Sequence, residues 1–204
     1  MLTAEYRRFS GFCALAAAVS GLLYSVSFII IARTAPATGS LLAGLFLLAG
    51  GLLATVVMVT LYHLTREVDH GFAAWALAIG VIGALGSAAH GGFDLANGIH
   101  PPSATNVFPS EVDPRGLMTF GLTGIAILVF ARLAGQNPAF PPRLAMWGLL
   151  AAVLLEVLYL GRLVILDATN PVVVAAALLG GFIVNPVWYG WLGVHLLGSA
   201  DAAK

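Results

Sequence analysis

Residues 149–166 read LLAAVLLEVLYLGRLVIL, a run in which Glu156 and Arg162 are the only charged side chains. Pro141-Pro142 precede it and Asn170-Pro171 follow it. Crossing a hydrocarbon core takes roughly 20 helical residues, because in lipid every backbone polar group must be paired within its own segment. This run has that length, and five others match it. The expected spans are 10–32, 40–63, 72–96, 116–134, 144–166 and 172–198. Turn chemistry separates them at Pro36, at the charged stretch 66–70, at His100-Pro101-Pro102, at Gln136-Asn137-Pro138 with Pro141-Pro142, and at Asn170-Pro171. The fold class is therefore all-α, a polytopic membrane protein built as a single six-helix bundle over 1–204.

Composition agrees. The chain is 60% hydrophobic and 9% charged, against roughly 25% charged in a soluble domain. Nine basic and nine acidic residues balance to zero net charge, so no basic surface points to nucleic acid and no nucleic-acid partner is expected. Cys13 is the only cysteine, which rules out an intramolecular disulfide and a multi-cysteine metal site. Lysine occurs only at Lys204, so no span carries a lysine able to form a Schiff base with a chromophore.

Arg7-Arg8 precede a first apolar run that is longer than the 7–15 residues typical of a signal peptide core, so this segment is expected to be a retained helix. Arg7, Arg8, Arg66, Arg132, Arg143 and Lys204 fall on one side of the bundle, and Arg33, Arg115 and Arg162 on the other. By the positive-inside rule both termini are expected in the cytoplasm, with the bacterial inner membrane as the location. The polar residues then collect in the outer half. His90, Asp94 and Asn97 close the third span, and Glu156 lies about 20 Å from the inner end of the fifth at 1.5 Å per residue.

The third span carries small residues every four positions, Ala76, Gly80, Ala84, Ala88 and Gly92, beside a parallel row of Ile79, Gly83, Ser87 and Gly91. Such rows let helix backbones approach closely where lipid provides no hydrophobic drive for association. A central position for this helix is expected. A third row, Ile82, Gly86, His90 and Asp94, forms a polar face leading toward the outer mouth.

Glu156 stands among leucines and valines, where an unpaired carboxylate costs several kcal/mol. Arg162 is about 240° around the helix from it and is a poor partner. Tyr159 is better placed, and His90 and Arg33 are candidates from other helices; Arg162 can instead reach Asp167. A His90–Glu156 pair could exchange a proton, hold a cation or fix helix register. In the sixth span, Asn185-Pro186 predicts a kink, because proline removes one backbone bond and clashes with the carbonyl of Phe182. Transporters use such broken helices at mid-depth to bind ions and substrates.

These residues leave several classes open. A ligand- or proton-binding membrane protein, of transport or sensor type, would use His90, Asp94, Glu156, Tyr159, Arg162 and Asn185. An accessory or assembly subunit would use the small-residue faces to meet protein partners or a second copy of the chain. No cofactor is expected, with two lesser alternatives. His63 and His195 could bind a haem axially, and His90, Asp94 and His100 could hold zinc as in membrane hydrolases. No nucleophile motif, phosphate loop or CxxC is present, so catalysis has no sequence signal of its own; the lipid bilayer is the expected partner, with protein partners or a homo-oligomer through the small-residue faces left open.

The stretches RRFSGFCALAAAVSGLLYSVSFIII (7–31), LYHLTREVDHGFAAWALAIGVIGALGSA (61–88) and FPPRLAMWGLLAAVLLEVLYL (140–160) resemble the bacterial six-helix membrane proteins grouped as domain of unknown function 4386. The resemblance spans most of the chain. It implies a cytoplasmic-membrane location and supplies no catalytic residue. The motifs that carry it are an arginine and glycine opening the first helix, a Leu-Tyr and charged turn between the second and third, and a Pro-Arg entry to the fifth; the HGGFD stretch (90–94) and Glu156 have no match in the family pattern.

Overall fold

The computed structural model describes residues 2–100, 117–167 and 169–201. Six helices are long and apolar enough to cross a membrane: α1 (Ala4–Thr34), α2 (Pro36–Thr65), α3 (His70–Ile99), α4 (Leu117–Ala134), α5 (Pro142–Ile165) and α6 (Pro171–Ala200). There is no strand among the described residues.

Most ends lie outside the apolar runs because capping groups set them. The Thr3 hydroxyl accepts from the Tyr6 N–H at 3.2 Å, so α1 starts at Ala4 rather than at 10. Asp69 does the same for Phe72 at 3.0 Å and brings the start of α3 back to His70. Pro36, Pro142 and Pro171 open α2, α5 and α6 at a position where a missing N–H breaks no helical bond. Between α1 and α2 the chain reverses through Ala35 alone, at φ −138° and ψ 77°.

Each helix packs against its sequence neighbours and α6 returns to α1, which closes a six-membered ring. The third helix is thus not central, as its small residues led one to expect, but one stave of the ring. Its small residues serve two neighbours, α2 and α4, and both rows contribute to each contact: Gly80 of the first row also meets Ala126 of α4, and Gly91 of the second meets Gly44 and Leu48 of α2. A Cβ on Gly51 of α2 would stand 2.6 Å from Ala84 O and from Ala88 N of α3, so only glycine admits this approach. On the next face, a Cβ on Gly83 would meet the Thr123 hydroxyl of α4 at 2.6 Å. An Arg7 Nη1–H bond to Ser199 O at 3.4 Å ties α1 to α6 and sets both termini at one end of the ring.

The surface is inverted relative to a soluble domain. Phe12, Trp75, Met146 and Val194 point outward, and Val164 is 72% exposed. Buried positions favour Ala, Gly and Ser, as packing in lipid requires. Large side chains fill the ring only toward the termini: Val57, Met58, Phe130, Leu144, Trp188, Leu192 and Leu196 form one cluster there. The opposite half is hollow.

Four helices change pitch around that hollow half. π-helical turns occupy Val26–Ile31 in α1, Leu117–Gly121 in α4, Gly161–Ile165 in α5 and Gly180–Val184 in α6. The last explains how α6 tolerates Pro186. The Asn185 N–H bonds to Gly180 O, five residues back, and the wider turn takes up the misfit next to the proline. α5 ends with the Leu166 N–H on Gly161 O at 3.0 Å and Leu166 in the left-handed region at φ 56°.

Candidate binding site

The hollow half holds a cavity of about 1500 Å³ reached by all six helices, for example through Ala17, Phe46, Ser87, Thr119, Leu155 and Val173. Every π turn contributes to its wall, through Phe28, Thr119, Gly161 and Gly181 in chain order. π turns recur at functional sites because each displaces side chains from their helical register and weakens local backbone pairing. Ala54, Ile127 and Tyr189 lie where the cavity meets the packed half, and Arg33 and Asp167 stand at its far rim.

The wall is mainly apolar, with a few polar groups. The Ser25 and Ser87 hydroxyls donate to the carbonyls of Gly21 and Gly83 one turn back, at 3.0 and 3.1 Å, and need nothing further. Thr123 Oγ1 and Asn185 Oδ1 are different: both are buried and neither has a hydrogen-bond partner. Both residues line the cavity, yet neither oxygen is accessible from it, and Thr123 Oγ1 is turned to Gly83 of α3.

The residues predicted from sequence separate into three places. Asn185 is on the cavity wall. His90 and Asp94 form a pair on α3, Nε2 to Oδ2 at 3.3 Å, and the other ring nitrogen, Nδ1, meets Thr119 Oγ1 of α4 at 3.1 Å. With the Nε2–H donating to the carboxylate, Nδ1 accepts from the threonine hydroxyl. His90 is therefore engaged on both sides and does not pair with Glu156. Asp94 is 37% exposed, so the chain Asp94–His90–Thr119 links an accessible carboxylate to the cavity wall.

Glu156 occupies the third place. Leu155, Leu158 and Gly161 turn one face of α5 to the cavity, while Glu156, about 100° from Leu155, faces α4. Its Oε1 is buried without a hydrogen-bond partner against Gly124, and the Ile125 backbone N–H faces the carboxyl. Gly124 is the reason the carboxyl fits, since a Cβ there would coincide with Oε1. Tyr159 does not serve Glu156; its ring packs on Gly121. The Arg162 side chain lies outside the described residues.

Of the metal candidates, His100 is exposed at the end of α3, and no three His, Cys, Asp or Glu side chains converge among the described residues. His63 and His195 lie in the half that holds the termini. There His63 packs edge-on to Tyr62, and His195 lies over Phe140 with ring centroids 5.5 Å apart. Comparison of the chain with protein-family models, curated proteins and solved structures finds no match in any of the three.

Sequence reasoning missed Thr119, Thr123, Arg33 and Asp167 as parts of one site. Thr119 and Thr123 are four apart on α4, a signal that was available. What was not available is the ring closure that brings α1, α4 and α6 around one space.

Proposed function

We propose that this chain is a multi-pass membrane protein whose far-half cavity binds a small, mainly apolar molecule bearing at least one hydrogen-bonding group, as a carrier or sensor does. One observation carries this reading: the far half encloses a cavity of about 1500 Å³ whose mainly apolar wall includes a few polar residues, Ser87, Thr119, Thr123 and Asn185 among them. The π turns around the cavity and the Asp94–His90–Thr119 chain support the same reading, the second offering a path for a proton to the wall. The arginine excess at the termini end argues that this end faces the cytoplasm and the cavity opens outward. A bacterial inner membrane and kinship with the family of domain of unknown function 4386 belong to the same proposal.

The test is occupancy. Ala177 is on the cavity wall, and Ala177→Phe places a ring in the space. Native mass spectrometry of the purified chain is expected to show a bound small molecule that the variant lacks, with circular dichroism unchanged. Equal occupancy in both proteins, or none in the parent under gentle extraction, would refute the proposal.

A further inference from the structure

The chemistry of the ligand can be read from the rim of the cavity, and this step rests on the reading just given. Arg33, in the last turn of α1, and Asp167, in the turn between α5 and α6, both line the far end of the cavity and both are exposed. No ion pair joins them among the described residues, and Arg33 forms no other. Asp167 is held in place: its Oδ1 accepts from the Thr169 N–H at 2.8 Å and from the Thr169 hydroxyl at 2.7 Å. Those bonds keep the carboxyl below the usual carboxylate range, so it is charged at neutral pH. The rim thus presents one fixed negative group and one cation that is free to reach.

Below the rim the wall is of another kind. Phe28, Ile29, Phe46, Leu47, Val174 and Leu178 give an apolar sleeve from three helices. Along α1 the cavity extends from Arg33 down to Ala17, about 24 Å at 1.5 Å per residue. One leaflet of hydrocarbon is about 15 Å deep, half of a core of roughly 30 Å. The sleeve therefore exceeds the length of a leaflet, and its volume exceeds the roughly 300–1,000 Å³ usual for compact small ligands.

We infer that the occupant is a single-chain zwitterionic amphiphile, its head between Arg33 and Asp167 and its chain in the sleeve. An anionic head would pair with Arg33 but face the Asp167 carboxylate; a cationic one would meet the reverse problem. A head that carries both signs satisfies both groups at once.

Three probes of one chain length separate the possibilities: a lysophosphatidylethanolamine, a lysophosphatidic acid and a monoacylglycerol, each titrated against the full chain in detergent and read by native mass spectrometry. The zwitterionic probe is expected to bind at least tenfold more tightly than the other two. Arg33→Gln and Asp167→Asn are exposed replacements that should fold, and each is expected to narrow the gap to the neutral probe at least fivefold. Equal binding of all three, or a preference that neither variant moves, overturns the head assignment while Ala177→Phe still reports on the cavity. Preference for the anionic probe that Asp167→Asn strengthens also overturns it. Failure of every probe to bind, with an unidentified molecule still displaced by Ala177→Phe, rejects the amphiphile and leaves the cavity reading standing.

Discussion

Gly124→Ala measures how closely Glu156 is fitted to α4. A methyl at this position would coincide with Glu156 Oε1, and it would stand 3.1 Å from Glu156 Cδ and 3.2 Å from Leu155 Cβ. The carboxyl must turn away, and Leu155, 8% exposed, leaves little room on the other side. Overpacking of this kind costs about 1–3 kcal/mol. Replacing glycine by alanine inside a helix returns about 1 kcal/mol, so the net expectation is a loss of about 0–2 kcal/mol. In a Glu156→Ala background the methyl enters vacated space, the clash vanishes and only the helical gain remains. The coupling between the two sites is then about 1–3 kcal/mol in favour of the double variant. Glu156→Gln is the control: it keeps the volume while removing the acid, and it should not rescue. Tryptophan fluorescence during unfolding in mixed micelles reads all six proteins, the parent, three single variants and the two double variants. Additivity within about 0.5 kcal/mol, the usual result for independent sites, would refute the packing argument. Rescue by Glu156→Gln would show instead that charge governs the contact.

Further expectations follow from single contacts. Gly51→Ala meets backbone atoms of α3, Ala84 O and Ala88 N, rather than a movable side chain; the loss in unfolding free energy should exceed that of Gly124→Ala, and an equal or smaller loss would count against backbone contact between α2 and α3. Thr119→Val removes the hydroxyl that serves His90 Nδ1 at 3.1 Å and should destabilise by about 1–3 kcal/mol, since a poorly exposed ring nitrogen loses its partner; an unchanged unfolding midpoint would argue that the bond is not formed. Thr169→Val removes one of the two donors that hold the Asp167 carboxyl below its usual range. Because that carboxyl is lowered in the folded chain, its contribution is complete above the unfolded value, about 3.9, and is lost as pH falls through the folded one. The variant should raise the titration midpoint followed by carbon NMR of labelled aspartate, and a midpoint that stays or falls would contradict the bonding.

The opening run 149–166 already indicated a membrane helix, and five similar runs indicated the bundle. Their apolar length is a local property, as are the caps at Thr3 and Asp69 and the prolines that open α2, α5 and α6. The small rows of α3 were legible as contact faces, yet not whether one neighbour or two would use them. Glu156 and His90 were both recognisable as costly in hydrocarbon, and pairing them was the economical guess. It fails because helix rotation sends Glu156 toward Gly124, while His90 finds Thr119 and Asp94.

What the sequence determined by itself is the solvent, the number of spans and the places where helices can touch, since each depends on hydrophobicity and side-chain size at fixed intervals along one segment. Only the tertiary structure decided that the staves close into a ring, that large side chains fill one half and leave the other hollow, and that Arg33, Thr123, Asp167 and Asn185 line the same space. These residues come from four segments far apart in the chain. Their meeting depends on the rotation and tilt of each helix against its neighbours, which backbone approach at glycines and the shift of register at π turns set jointly, and no single segment encodes either.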